Sequence, residues 1–439
     1  MIVINSICFD HREPIGPGIY PLPQKIQGFS EILKIINNST FKGKDETIMY
    51  IHIPFCRRFC SYCGIFKYPY QKEILDIYVE ALCKEINSYK EIFQERLLAC
   101  VYFGGGTATL LSKENWEDIF EEIRKFPKTN DCEITVEGTP DTFDKETLIF
   151  LKEQGVTRVS MGIQSFVRQV NSELNRFYNI NNIEDIVLNA LNFIGDINVD
   201  LIYNLPEQTR DDFIKDLYYI SSLGITHLTI NPFVVISTAP IYERIQKGLI
   251  EVPSEVNEIL LFEDAIQVLK ELDFVQYTVR DFCKSQRRVK YITMTGYCYN
   301  IIGIGMNSYG YLNGTAYQNQ SNSMNKYLDA IKNAGFSFDK ISKPNENDYL
   351  RKIMVQGLRL TDFSLTKSEI LHQRPIAKIF KLQLDQLVNS GFIEIIDGIV
   401  NYSHDGLLYA NNIRNTFTNG ISYLGFGLSG IGGSGRGNY

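Results

Sequence analysis

The sequence predicts an α/β chain built on a parallel sheet, open or closed into a partial barrel. Three observations carry this. Six short apolar runs between residues 49 and 231 alternate with stretches of helical period. Repeated strand–helix alternation is the pattern of parallel strands joined by crossover helices. The residues with chemical potential fall at or just after the ends of the apolar runs, and in such folds chemistry sits at the C-terminal strand ends.

The elements follow in order. Residues 1–45 are expected to be irregular, because Pro14, Pro17, Pro21 and Pro23 break any regular element. The predicted strands are Met49–Ile53, Ala99–Phe103, Glu133–Val136, Arg158–Gly162, Val199–Tyr203 and His227–Asn231. In the first helix Ile74, Ile77, Tyr78, Ala81, Leu82 and Tyr89 fall at helical spacing. Further helices are expected over roughly 113–125, 145–154, 183–194 and 209–222. A long helix at about 254–271 leads to two strand-like runs, Val275–Arg280 and Ile301–Leu312. Residues 346–413 read as helices with a short β element near Phe392–Tyr402, the order of a small winged-helix-like unit. The expected organisation is an irregular segment at 1–45, a barrel at 46–240, an extension at 241–335, a C-terminal unit at 336–415 and a glycine-rich, mobile tail at 416–439.

Composition excludes several function classes. The 439 residues are 44% hydrophobic and 22% charged, a globular balance with room for a sizeable core. A net charge of −7 gives no basic footprint for nucleic acid. No apolar run is long enough to span a membrane, and the N-terminus lacks the pattern of a signal peptide, so a cytoplasmic location is expected. Nine cysteines, three of them within eight residues, do not resemble a disulfide framework and suit a reducing compartment. Cys8, Cys83, Cys100, Cys132, Cys283 and Cys298 read as small, buried apolar residues.

The segment YIHIPFCRRFCSYCG places Cys56, Cys60 and Cys63 at C-x3-C-x2-C spacing on a loop after a strand. Three thiolates hold three irons of a [4Fe–4S] cubane and leave the fourth open, which four-cysteine electron-transfer clusters do not. The open iron can chelate the amino and carboxylate groups of S-adenosylmethionine (SAM), and reductive cleavage of SAM follows. Zinc would call for a fourth ligand. His52 lies within the strand pattern and is expected to be packed or hydrogen-bonded. Tyr62 precedes the last cysteine and is expected near the adenine.

A supporting set falls on successive strands. Gly104, Gly105, Gly106 and Thr107 end the second, where bare backbone could approach the methionyl group of SAM. Glu137 ends the third and Gln164 the fourth, each a candidate for the ribose or carboxylate of SAM. Arg176 follows and could pair with a carboxylate, and Asp200 lies on the fifth.

These strings, with VYFGGGT, EITVEGTP, RVSMGIQSF and NVDLIYNLP, resemble the oxygen-independent coproporphyrinogen III oxidase family, the HemN-like branch of radical SAM enzymes, from about Tyr50 to Leu312. The resemblance implies a partial (β/α)6 barrel with an added β extension and a small winged-helix-like domain. It implies two bound SAM molecules, with Tyr50, Gly105, Thr107, Glu137, Gln164, Arg176 and Asp200 on SAM-contacting positions. Several positions depart from the family's pattern. The haem-chaperone string HN-x-x-YW is absent; Ala108 stands where Pro is common; Asn204 replaces the usual Gly before Leu-Pro; the tail is unusual. These departures place the chain nearest the class C methyltransferases and cyclopropane synthases. The expected function is therefore one-carbon transfer from a second SAM to a peptide or other natural product, with flavodoxin or ferredoxin as reductant. The alternatives are porphyrin chemistry, either oxidative decarboxylation of coproporphyrinogen or anaerobic haem opening, and non-catalytic haem carriage.

Overall fold

The computed structural model describes residues 7–25, 34, 45–93, 96–285, 287–321, 323–342 and 345–418. At its centre β1 (Glu46–Ile53), β2 (Leu97–Gly105), β3 (Lys128–Gly138), β4 (Arg158–Gln164), β5 (Ile197–Tyr203) and β6 (His227–Pro232) lie side by side in sequence order, each parallel to the next. Parallel neighbours need crossovers. These are α1 (Lys72–Phe93), α2 (Lys113–Arg124), α3 (Lys145–Glu153), α4 (Ile183–Phe193) and α5 (Arg210–Ser222). All six predicted strands and all five crossover helices are present. The starts of α2 and α5 are fixed by capping boxes: Ser112 with Asn115, and Thr209 with Asp212.

Beyond β6, α6 (Glu255–Glu271) returns the chain to β7 (Asp281–Cys283), antiparallel to β6. On the opposite edge α7 (Lys290–Gly296) leads to β8 (Asn300–Ile304), parallel to β1. β9 (Tyr309–Leu312), β10 (Thr315–Asn319) and β11 (Phe338–Ile341) extend that edge as an antiparallel meander, with α8 (Met324–Ala334) before the last. Two of the predicted runs are corrected here. Ile301–Leu312 is two strands, because positive φ at Gly305 and Asn307 folds the chain back between them. Only Val275–Gln276 of the run to Arg280 is strand; Tyr277 N–H turns back onto the Asp281 carbonyl.

The last described part begins with α9 (Glu346–Gly357) and adds a three-stranded sheet of β12 (Asp362–Ser364), β13 (Ile393–Ile396) and β14 (Ile399–Tyr402), with β14 in the middle. Its apolar side chains, among them Ile353, Leu358, Phe363 and Leu387, form one core with Ile48 and Tyr50 of β1 and with Tyr291 of α7. The C-terminal part therefore walls one side of the barrel. Residues 7–20 lie across it as a strap: Arg12 pairs with Glu258 and Arg414 donates to the Pro17 carbonyl. Residues 419–439, most of the tail expected to be mobile, lie outside the described residues.

All nine cysteines are free. Cys100, Cys283 and Cys298 are buried as expected, whereas Cys83 and Cys132 are half-buried and Cys8 is exposed. Among the described residues no helix is long and apolar enough to cross a membrane.

Candidate active site

The central strands are buried on both faces, which makes their few half-buried positions informative. Tyr102 on β2, Glu137 on β3, Gly162 on β4, Asp200 on β5 and Thr229 on β6 are such positions. Register sets them side by side: Glu137 faces Ser160, Gly162 faces Asp200, Asp200 faces Thr229, and Thr229 faces Asp281 of β7. They line one lumen, crossed row by row by polar side chains.

The cysteine loop caps the C-terminal end of this lumen. It leaves β1 at Ile53, and residues Phe55–Cys56 pair with Tyr68–Pro69, so the loop is closed at its base. The glycine string of β2 is bonded directly to it: Gly106 N–H donates to Ile53 O at 2.8 Å and Thr107 N–H to Phe55 O at 2.9 Å. Gly105 takes φ +115°, which a side chain would strain, and its face lies over the His52 ring. At Gly106 a Cβ would meet the Phe55 carbonyl oxygen at 2.5 Å, and backbone cannot move aside cheaply. Gly106→Val is accordingly expected to cost about 1–3 kcal/mol of stability and to lower the iron retained after reconstitution, as read by thermal melting and iron analysis.

Around the loop, Thr107 Oγ1 approaches Cys56 Sγ at 3.8 Å and Arg176 Nη1 donates to Cys60 Sγ at 3.3 Å. Burial pushes the Cys56 thiol up to about 11 and raises Cys63, and the neighbouring thiols add to both. Buried thiols such as Cys56 and Cys63 ionise most readily beside a cation, and three cysteine ligands with one corner open suit a cubane cluster. The residues present therefore fit the group. A cavity of about 260 Å³ opens beside Cys60, lined by Arg57, Thr107, Thr139, Asp141, Arg176 and Tyr178 among others.

Of the other residues singled out in the sequence, Arg176 lines this cavity and the rest lie on the strands and the loop around it. Glu137 accepts from the Tyr102 hydroxyl and the Gly105 N–H, yet burial lifts its carboxyl to about 7. Asp200 accepts from Ser160 Oγ at 3.2 Å and Asn198 Nδ2 at 3.1 Å, and burial raises it to about 6. Gln164 ends β4 with φ 73°, a conformation rare outside glycine and one that functional sites retain. Arg176 reaches back to the Gly162 carbonyl and lies over the Tyr178 ring. Tyr62 packs against the apolar group of Val170, Leu174 and Ile202. Tyr50 pairs in register with Tyr102, and its hydroxyl meets His52 Nδ1 at 3.1 Å. His52 is thus packed and hydrogen-bonded, as its strand position suggests.

Several lumen residues were not singled out in the sequence. Tyr291 stacks on Tyr102 at 4.3 Å. His227 bridges Asn198 Oδ1 and the Tyr277 hydroxyl, each at 2.5 Å. Asp281 accepts from Thr229 at 2.8 Å and Thr278 at 2.5 Å. Period-two counting back from Gly104 would have reached Tyr102, and from Asp200 it would have reached Asn198.

A sequence profile described as the radical SAM superfamily matches residues 50–220. Over that stretch the chain is similar to the radical SAM superfamily. Its cofactors are a [4Fe–4S] cluster and SAM. It is 28% identical to the heme chaperone HemW of Bacillus subtilis over 84% of this chain and 98% of that one. It is 26% identical to the oxygen-independent coproporphyrinogen III oxidase of Salmonella typhimurium over 83% of this chain and 84% of that one. Its fold is that of the coproporphyrinogen III oxidase HemN of Escherichia coli, with a TM-score of 0.79 at 22% identity, covering 91% of this chain and 96% of that one.

These relatives overturn the expectation of one-carbon transfer to a peptide or other natural product. The proteins aligned along more than four-fifths of the chain are a heme chaperone and a coproporphyrinogen oxidase, not methyltransferases or cyclopropane synthases. Two of the departures behind that expectation are conformationally silent. Asn204 holds φ 62°, the left-handed conformation glycine would supply, and asparagine tolerates it well. Ala108 opens the 3₁₀ turn Ala108–Leu110, whose first position accepts proline without requiring it.

Proposed function

We propose that the chain is a radical SAM enzyme acting on a tetrapyrrole that carries propionate side chains, and that it decarboxylates them oxidatively. The observation that carries this reading is the extent of the likeness. Relatives named for coproporphyrinogen and heme align through the barrel, the extension and into the C-terminal wall that closes the lumen. The substrate is a small molecule on this reading, and a one-electron donor such as flavodoxin or ferredoxin feeds the cluster.

Cys56, Cys60 and Cys63 hold the cluster. When bound, cluster and SAM supply an adenosyl radical able to take hydrogen from carbon. This chain's own residues bind, orient and shield. Glu137, braced by Tyr102 and the Gly105 N–H, holds the methionyl ammonium; Gly106 and Thr107 keep the backbone close. Arg176 takes a carboxylate, while Gln164 and Asp200 take hydroxyl or amino groups of SAM. The stacked rings of Tyr50, Tyr102 and Tyr291 form an aromatic floor beneath the site.

The raised Glu137 carboxyl gives a pH dependence. Below about 7 it is protonated and holds an ammonium group poorly; above that it is ionised and holds it well. SAM affinity is therefore expected to rise with pH through neutrality, and Glu137→Gln to flatten that rise, as measured by equilibrium dialysis. A profile unchanged by the substitution would place the ammonium elsewhere.

A second reading, haem carriage without turnover, is favoured by the alignment with nearly the whole of a heme chaperone. Against it, the stretch 289–310, where the chaperone string would stand, has no histidine and packs into the core through Tyr291, Met294, Tyr297 and Ile302. Reduced protein, SAM and coproporphyrinogen III under anaerobic conditions separate the two. The proposal expects 5′-deoxyadenosine and carbon dioxide in step; stoichiometric haem binding with neither product would replace it with the carrier reading.

A further inference from the structure

Three arginines stand where the C-terminal part meets the barrel, and none pairs with a carboxylate among the described residues. Arg280 donates to Asn231 Oδ1 at 2.9 Å. Arg414, 6% exposed, is bonded to neutral partners: Val355 O at 2.9 Å, Asn411 Oδ1 at 3.0 Å and Pro17 O at 2.7 Å. Arg359 has no side-chain hydrogen bond or ion pair among the described residues.

The backbone brings them together. Leu360 forms an antiparallel bridge with Thr278, and Thr361 N–H donates to Tyr277 O at 3.1 Å, so residues 359–361 run beside the strand end that carries Arg280. Leu360 also abuts Gly296 at the end of α7, the helix that presents Tyr291. Burial lowers both Arg359 and Arg414 and Arg280 lowers both further; Arg359 adds to the lowering of Arg414, while Asp281 and Tyr291 act on Arg359 in the opposite direction. Asp281, whose charge acts on Arg359, is 4% exposed and already accepts from two threonine hydroxyls.

Guanidinium groups removed from water normally meet an anion, because the desolvation cost is otherwise uncompensated. Here two of the three are only half-buried, and Asn231, which fixes Arg280, lies on β6 two residues beyond the lumen-facing Thr229. The Tyr291 hydroxyl, on a side chain 8% exposed, has no hydrogen-bond partner among the described residues. A donor and cations without acidic partners at one wall of a lumen suit a carboxylate.

We propose that Arg280 and Arg359, with the Tyr291 hydroxyl, form a carboxylate-binding subsite that anchors an acidic side chain of the substrate. Arg414 stands behind it as a fixed third charge. The assignment of that acid as a substrate propionate rests on the tetrapyrrole reading above; the anion site itself does not. A guanidinium presents a planar fork that takes a carboxylate through two hydrogen bonds, so the pair would fix the ring's orientation as well as its affinity.

The test uses the full chain with its cluster. Glutarate, a plain dicarboxylate, is expected to raise the melting temperature of the wild type and to leave Arg280→Gln and Arg359→Gln unmoved. Without ligand these variants should melt no lower than the wild type, since each loses a repelled cation. Coproporphyrin III, followed by absorbance, should bind each variant at least about ten-fold more weakly, with SAM affinity unchanged. Equal glutarate response in wild type and variants, or no response in any, overturns the subsite. Variants that melt lower yet still respond to glutarate would make the arginines structural and overturn it too. A ten-fold loss of SAM affinity in the variants would give the subsite to SAM's own carboxylate and overturn the substrate assignment. A glutarate response lost in the variants, with no coproporphyrin binding to wild type, would uphold the anion site and sink the tetrapyrrole reading instead.

Discussion

Replacing Cys56, Cys60 and Cys63 together with alanine is expected to abolish both cluster and SAM cleavage. Wild-type protein should hold about four irons and four sulfides per chain after reconstitution, and the triple variant none. The loop is tied to the barrel by backbone bonds from Gly106 and Thr107 and from Ser61 to the Leu174 carbonyl, not by the thiols, so the variant should fold. Alanine at the three positions buries no new charge, and Arg176, which loses the Cys60 sulfur, keeps its bond to the Gly162 carbonyl. Iron analysis, the charge-transfer absorbance of the cluster and 5′-deoxyadenosine assay read the outcome. Formation of 5′-deoxyadenosine by the triple variant would contradict the assignment of these cysteines.

Glu137 carries the next largest effect. A hydrogen bond to a charged group is worth roughly 1.5–3 kcal/mol, so Glu137→Ala should weaken SAM binding by about ten-fold to more than a hundred-fold. Gln164→Ala should act in the same direction. Neither side chain bonds to the cysteine loop, so cluster content should be unchanged in both. Unaltered SAM affinity in both variants would place the SAM site on other strand ends. Loss of iron in either would mean that the strand ends support the loop and not the ligand.

Much of the fold was legible because it rests on local pattern. The near-continuous apolar runs of β1, β2 and β4 are the mark of parallel strands covered on both sides, and the intervening helices keep a 3.6-residue period. The cysteine triplet and the glycine string were legible for a different reason: their residue types have few other uses at that spacing. What escaped the sequence is tertiary. Tyr291 and Asp281 reach the lumen from segments some 150 and 140 residues beyond Glu137, and no local period announces them. The strand Ile301–Leu312 was overrun because Gly305 and Asn307 set their turn through positive φ, a property asparagine does not advertise as glycine does. The functional expectation failed on the same ground. Asn204 and Ala108 differ from the family in identity while keeping the backbone it needs, so differences of letter were read as differences of chemistry.

The most direct test of the central claim follows hydrogen from substrate to cofactor product. Coproporphyrinogen III deuterated in its propionate side chains is incubated anaerobically with reduced protein and SAM, and 5′-deoxyadenosine is analysed by mass spectrometry. The tetrapyrrole reading predicts one deuterium in 5′-deoxyadenosine, formed in proportion to carbon dioxide released. Unlabelled 5′-deoxyadenosine, produced at the same rate with or without the tetrapyrrole, would contradict it.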